Sequence, residues 1–131
     1  VSCLYRKRVS HVNPTVRPPA VAGLFYPGEP SALAGQIGRL LENVEDLIAA
    51  PKALIVPHAG YVYSGPVAAS ALAQLRPHRD AIKRVVILGP NHKVPLRAVA
   101  MPSVAAFSTP LGEVPVDREA LGALDGLPHC V

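Results

Sequence analysis

Two histidines in this chain follow short apolar runs that end in turn formers. His58 lies two residues beyond Lys52-Ala-Leu-Ile-Val56, and His92 lies four beyond Arg84-Val-Val-Ile-Leu88. Neutral imidazole is the commonest protein ligand for iron, copper and zinc. Gly60 and Gly89 sit nearby and let the backbone turn tightly, leaving room for a ligand. A histidine after a strand is often only a hydrogen-bonded loop residue, and it is the repetition at one edge that raises a metal pocket above that plainer reading. A catalytic metal ordinarily takes three protein ligands and keeps one position open. No third ligand is evident here. Tyr61, Tyr63 and Asn91 are close in sequence, but phenol and amide are uncommon ligands for such metals. His11, His78 and His129 read as surface residues. A P-loop, a GxGxxG turn and a GxSxG elbow are all missing from the sequence.

The positioning elements follow from periodicity. Leu33, Ile37, Leu40, Leu41 and Val44 recur on one face of a 3.6-residue repeat, so a helix is expected from Ser31, with Ser31 as its cap. A second helix is expected over residues 64–76, opened by Ser64 with Pro66 in its first turn and stopped by Pro77. It lies between two apolar runs, 53–56 and 84–88, which read as buried parallel strands. Strand, helix and strand in that order make a βαβ crossover. Both histidines then emerge at the carboxyl ends of the strands, where open α/β sheets bind ligands. Neighbouring strand ends lie about 5 Å apart, or about 10 Å with one strand between. Either separation lets two rings converge on one ion at a Zn–N distance of roughly 2.1 Å. Residues 98–102 suggest a further strand. The stretch from Phe107 to Asp117, with Thr109-Pro-Leu-Gly112 inside it, suggests a hairpin or irregular loop, and 118–124 a last short helix.

Composition narrows the partners. The net charge of +4 is concentrated in Arg6, Lys7, Arg8 and Arg17; without these four, nine basic residues face nine acidic ones. Residues 1–20 therefore read as a basic flexible arm and residues 21–131 as the body. A neutral body without aromatics interleaved among basic residues argues against a nucleic-acid interface. Cys3 and Cys130 stand alone at opposite ends, which suits a reducing compartment. No apolar run reaches the roughly eighteen residues of a membrane span, and none follows Arg6–Arg8 as a signal peptide would require. The expected location is cytoplasmic, with no membrane partner. At 131 residues and 50% apolar content the chain is one domain in size. Its 17% charged content falls below the roughly 25% of an average domain, so its surface calls for cover.

Four stretches in order carry a resemblance to a known family: Arg17-Pro18 through Ala22-Gly-Leu-Phe-Tyr-Pro27, Pro57-His-Ala-Gly-Tyr-Val-Tyr-Ser-Gly65, Val86-Ile-Leu-Gly-Pro-Asn-His92, and Thr109-Pro-Leu-Gly112 through Val116-Asp117. Together they resemble the Memo family, also called AmmeMemoRadiSam system protein B. The resemblance implies an α/β fold, a parallel-containing sheet flanked by helices, related to the class III (LigB-type) extradiol dioxygenases that use non-haem iron. It implies His58 and His92 as metal ligands, with iron or copper as the cofactor. Phe25 and Tyr26 then line the pocket, joined by Tyr61 and Asn91. It implies further that the chain corresponds to the N-terminal part of the complete fold, with a third ligand expected beyond residue 131. Three functions follow as expectations: a metal-dependent, redox-associated protein of dioxygenase-like pocket; a non-catalytic module binding a peptide or small molecule, with Tyr63 as an added aromatic wall; or a companion of radical SAM and AMMECR-like proteins.

Overall fold

Glu29 opens the first helix. Its carboxylate accepts from the backbone N–H groups of Ser31 and Ala32 and from the Ser31 hydroxyl, satisfying donors that a helix start leaves orphaned. These bonds, that from the Ser31 hydroxyl first, hold the Glu29 carboxyl below the usual glutamate range. The expected cap, Ser31, is thus itself held by the residue two positions earlier. Pro30 takes the first helical position, where a missing N–H costs nothing. The helix, α1, runs Pro30–Glu42. This computed structural model describes residues 15–42, 44–45 and 49–131; of the arm expected over residues 1–20, most lies outside the described residues.

The second helix, α2, spans Tyr61–Leu72 and continues as a 3-10 segment over Ala73–His78. It begins three residues before Ser64, so Ser64 is not its cap. The hydroxyl is buried in the first turn and donates back to the carbonyls of Ala59 and Gly60. Pro66 consequently lies inside the helix and Pro77 inside the 3-10 segment. Arg76 ties the end of this segment to α1: its two terminal nitrogens donate to the carbonyls of Leu41 and Val44, each at 2.8 Å. Carbonyls at a helix C-terminus have no partner within the helix and carry its negative dipole end, so a guanidinium fork suits them.

The chain folds as two compact units, one drawing on the stretch up to Pro18 with Asn91–Val131, the other comprising Pro19–Pro90. The second unit holds α1 and α2, with Leu33, Ala69 and Ala73 buried. Gly65 makes their close approach possible, since a Cβ there would stand 3.1 Å from Leu40 Cδ1.

The first unit holds the sheet. Strands β1 (Val16–Arg17), β2 (Ala106–Thr109) and β3 (Gly112–Pro115) lie in that order, β1 parallel to β2 and β2 antiparallel to β3. The architecture is mixed α/β with a parallel pairing, as expected. β1 falls inside the stretch read as an arm. Of the hairpin or irregular loop expected over Phe107–Asp117, the structure has the hairpin, with Phe107 opposite Val114 and Thr109 opposite Gly112. Thr109 Oγ1 closes its turn by donating to the Gly112 carbonyl and accepting from the Leu111 N–H. Gly112, at φ +127°, adopts a backbone that side chains disfavour. The short last helix is α3, Arg118–Gly122, capped by Asp117 through the Ala120 N–H. Residues 98–102 form only a bridge, Val99 to Cys130.

The structure corrects the two buried strands expected over 53–56 and 84–88. Neither run joins a sheet among the described residues, and Val85, Val86, Ile87 and Leu88 are 66–85% exposed. Parallel strands need ladder neighbours and cover on both faces; among the described residues these runs have no strand beside them. No helix of the described residues is long and apolar enough to cross a membrane.

Candidate functional site

The turn that carries Phe25 and Tyr26 is tied by its own backbone. Leu24 and Phe25 donate to the Val21 carbonyl, and Gly23 donates to the Tyr26 carbonyl at 2.8 Å. Gly23 sits at φ +79°, the left-handed region that glycine enters without strain. This turn docks on the start of α2 through a bond from the Tyr61 N–H to the Phe25 carbonyl. Gly60 permits that approach, because a Cβ there would lie 3.3 Å from the Phe25 carbonyl oxygen. The rings of Tyr26 and Tyr61 then meet with centroids 5.6 Å apart and planes tilted by 44°, within the range that aromatic pairs favour.

Beside this pair lies a cavity of 440 Å3. Phe25, Tyr26 and Tyr61 line it with His58, and the helices add Ile37, Leu40, Leu41, Ala68 and Leu72. Ser64 belongs to the lining too. Its hydroxyl is committed to the Ala59 carbonyl, which fixes the loop carrying His58 to the first turn of α2. His58 supplies the one imidazole among the lining side chains. Volumes of about 300–1,000 Å3, mostly apolar with a few placed polar groups, are typical of small-molecule sites.

The sequence-derived residues divide between the two units. Phe25, Tyr26, His58 and Tyr61 converge on the cavity of the Pro19–Pro90 unit. Asn91 and His92 belong to the other unit. There the Asn91 carboxamide oxygen accepts from the Lys93 and Val94 N–H groups, both at 3.3 Å, forming a turn around His92. Tyr63 is corrected: it points outward, 84% exposed, and adds nothing to the aromatic wall. Helical spacing accounts for this, since Tyr61 and Tyr63 are about 200° apart around the axis. The contribution of Ile37, Leu40, Leu41 and Leu72 to the wall was not expected. Their spacing indicates a buried helix face, but spacing does not say whether that face meets core or cavity. Among the described residues, no group of three His, Cys, Asp or Glu side chains comes together as a metal ion would require.

Comparison with known proteins gives a consistent answer. The family model described as Memo-like protein matches residues 17–130. A MEMO1 family protein of Methanococcoides burtonii is 47% identical over 109 residues, covering 83% of this chain and 39% of its own. A MEMO1 family protein of Thermotoga neapolitana is 40% identical over 121 residues, covering 83% of this chain and 43% of its own. Protein MEMO1 of Mus musculus is 38% identical over 103 residues, which are 79% of this chain and 34% of the mouse protein. The chain therefore spans less than half the length of these curated relatives.

Proposed function

The chain belongs to the Memo-like protein family, and from that premise we propose that it binds a small aromatic molecule in the cavity of the Pro19–Pro90 unit, with His58 meeting a polar group of the ligand. The observation that carries this reading is the composition of the cavity wall: three aromatic residues and a row of aliphatic ones, with a single imidazole. An apolar wall removes ring surface from water at about 25 cal/mol per Å2. The imidazole fixes orientation by donating to or accepting from a hydroxyl or carboxylate. The test is a methyl NMR titration with 2-naphthol. Saturable shifts of the Leu40, Leu41 and Leu72 methyls are expected, weakened at least tenfold by Ala68→Phe, which fills the cavity. A wild-type titration without saturable shifts removes the reading.

A second reading is favoured by the donor chemistry of the two motif histidines. In it, His58 and His92 are imidazole ligands of a non-haem iron or copper site that serves a redox role. Imidazole suits both metals. Two ligands fall short of the usual three, and no complete ligand set is assembled among the described residues, so no reaction step is derived from a metal. Metal titration followed by isothermal calorimetry decides the matter. The double variant H58A/H92A loses at least tenfold in iron(II) or copper(I) affinity if both rings ligate; unchanged affinity removes this reading and leaves the first intact. Association with radical SAM and AMMECR-like companions belongs to the family reading alone and has no carrier among these residues.

A further inference from the structure

The cavity of the Pro19–Pro90 unit has polar groups in its wall but no ionic pair to offer. Among the described residues that line it there is no Lys, Arg, Asp or Glu. Charged neighbours of the wall are turned elsewhere. Arg39 precedes the wall residue Leu40, yet its guanidinium reaches back along α1 to Gly35, where a Cβ would stand 3.4 Å from Nη1. Glu42, next to Leu41, is exposed. Arg76 gives its terminal nitrogens to the carbonyls of Leu41 and Val44. The Ser64 hydroxyl is committed to the Ala59 and Gly60 carbonyls. The Tyr26 and Tyr61 hydroxyls differ: among the described residues neither has a hydrogen-bond partner. A tyrosine hydroxyl normally takes one when it is covered.

Resting on the reading of this cavity as a small-molecule site, we propose that its ligand is an uncharged aromatic hydroxy compound, and that the site turns away the aryl carboxylate or arylammonium compound of similar size. A hydroxyl both donates and accepts, so the phenol groups of Tyr26 and Tyr61 or the His58 imidazole can meet it. An ionised group finds no such match. Taking a charge out of water costs far more than a neutral hydrogen bond returns, unless an opposite charge stands beside it. A carboxylate meets no cation in this wall. An ammonium group gains attraction to the aromatic faces, but without a carboxylate partner that attraction does not replace its lost hydration.

The experiment titrates the chain at about pH 8, above the ordinary histidine range, with 2-naphthol, 2-naphthoate and 2-naphthylmethylammonium, following the Leu40 and Leu41 methyls by NMR. Saturable shifts are expected with 2-naphthol, and an affinity at least tenfold weaker for each charged compound. Leu72→Lys then sets a cation at a half-exposed position of the wall. It should raise binding of 2-naphthoate relative to 2-naphthol by about threefold or more. A charged compound that binds wild type within tenfold of 2-naphthol overturns the assignment of ligand class and leaves the cavity reading in place. Exclusion of 2-naphthoate that Leu72→Lys fails to relieve also overturns it, since shape and not charge would then be excluding the carboxylate. Where that variant no longer binds 2-naphthol, the wild-type comparison alone decides. Wild type without saturable shifts from 2-naphthol removes both the class and the cavity reading.

Discussion

The backbone N–H of Tyr61 donates to the carbonyl of Phe25 at 2.8 Å, joining the first residue of α2 to the aromatic turn that precedes α1. This single bond brings two motifs far apart along the chain to one cavity. It also spends an orphan N–H of the helix start on a neighbour that lines the cavity.

Gly60→Ala tests that junction. Its φ of −57° suits any residue, so alanine should gain about 0.4–1 kcal/mol from a less flexible unfolded chain. Against this, the new Cβ meets the Phe25 carbonyl oxygen at 3.3 Å and Phe25 Cα at 3.5 Å. Both are backbone atoms that cannot rotate away, and overpacking typically costs about 1–3 kcal/mol. The crowding wins. Urea denaturation should show a net loss of roughly 1 kcal/mol, and a variant as stable as wild type would mean that the turn yields to the new methyl.

Gly65→Ala should go the other way. Here the crowded atom is Leu40 Cδ1, the end of a side chain that borders the cavity and has space to turn. Replacing a mid-helix glycine by alanine favours the helix by about 1 kcal/mol. The variant should be as stable as wild type or slightly more so, while its cavity shrinks. A loss above about 1 kcal/mol in the same denaturation assay would show that Leu40 cannot move.

Arg76→Ala removes both bonds to the Leu41 and Val44 carbonyls. Hydrogen bonds to charged groups contribute about 1.5–3 kcal/mol, so a destabilisation of roughly 2 kcal/mol is expected. Arg76→Lys should recover only part of it, because an ammonium cannot span two acceptors as a planar fork does. Full recovery by lysine would mean that charge alone matters at this site.

Glu29 gives α1 an acid-sensitive start. Its carboxyl is held below the usual glutamate range, chiefly by the Ser31 hydroxyl and then by the Ala32 and Ser31 N–H groups. A lowered folded-state value means that the contribution is complete at neutral pH. It begins to fade as pH falls through the ordinary glutamate range and is gone once pH passes below the folded value. Glu29→Gln should flatten this part of the stability curve, measured as denaturation midpoint against pH. An unchanged slope would show that the carboxylate does not cap the helix.

Local elements and family were legible in the order of residues. Apolar spacing located α1, prolines and apolar positions located α2 to within a few residues, and Thr109-Pro-Leu-Gly112 located the hairpin, because turns and amphipathic helices are set by neighbours along the chain. Four ordered motifs identified the Memo-like family, and they picked out Phe25, Tyr26, His58 and Tyr61, which converge on one cavity. Whatever depends on distant partners emerged only in the folded chain. There Ser64 changes from a cap into a buried tether of the His58 loop, Tyr63 points outward, and a helix face whose periodicity leaves core and cavity undecided becomes a cavity wall. Among the described residues the fold also leaves 53–56 and 84–88 outside any sheet. Strand propensity is a statement about fitting a pleated, covered surface, and a run of valine, isoleucine and leucine becomes a strand only where another backbone lies beside it.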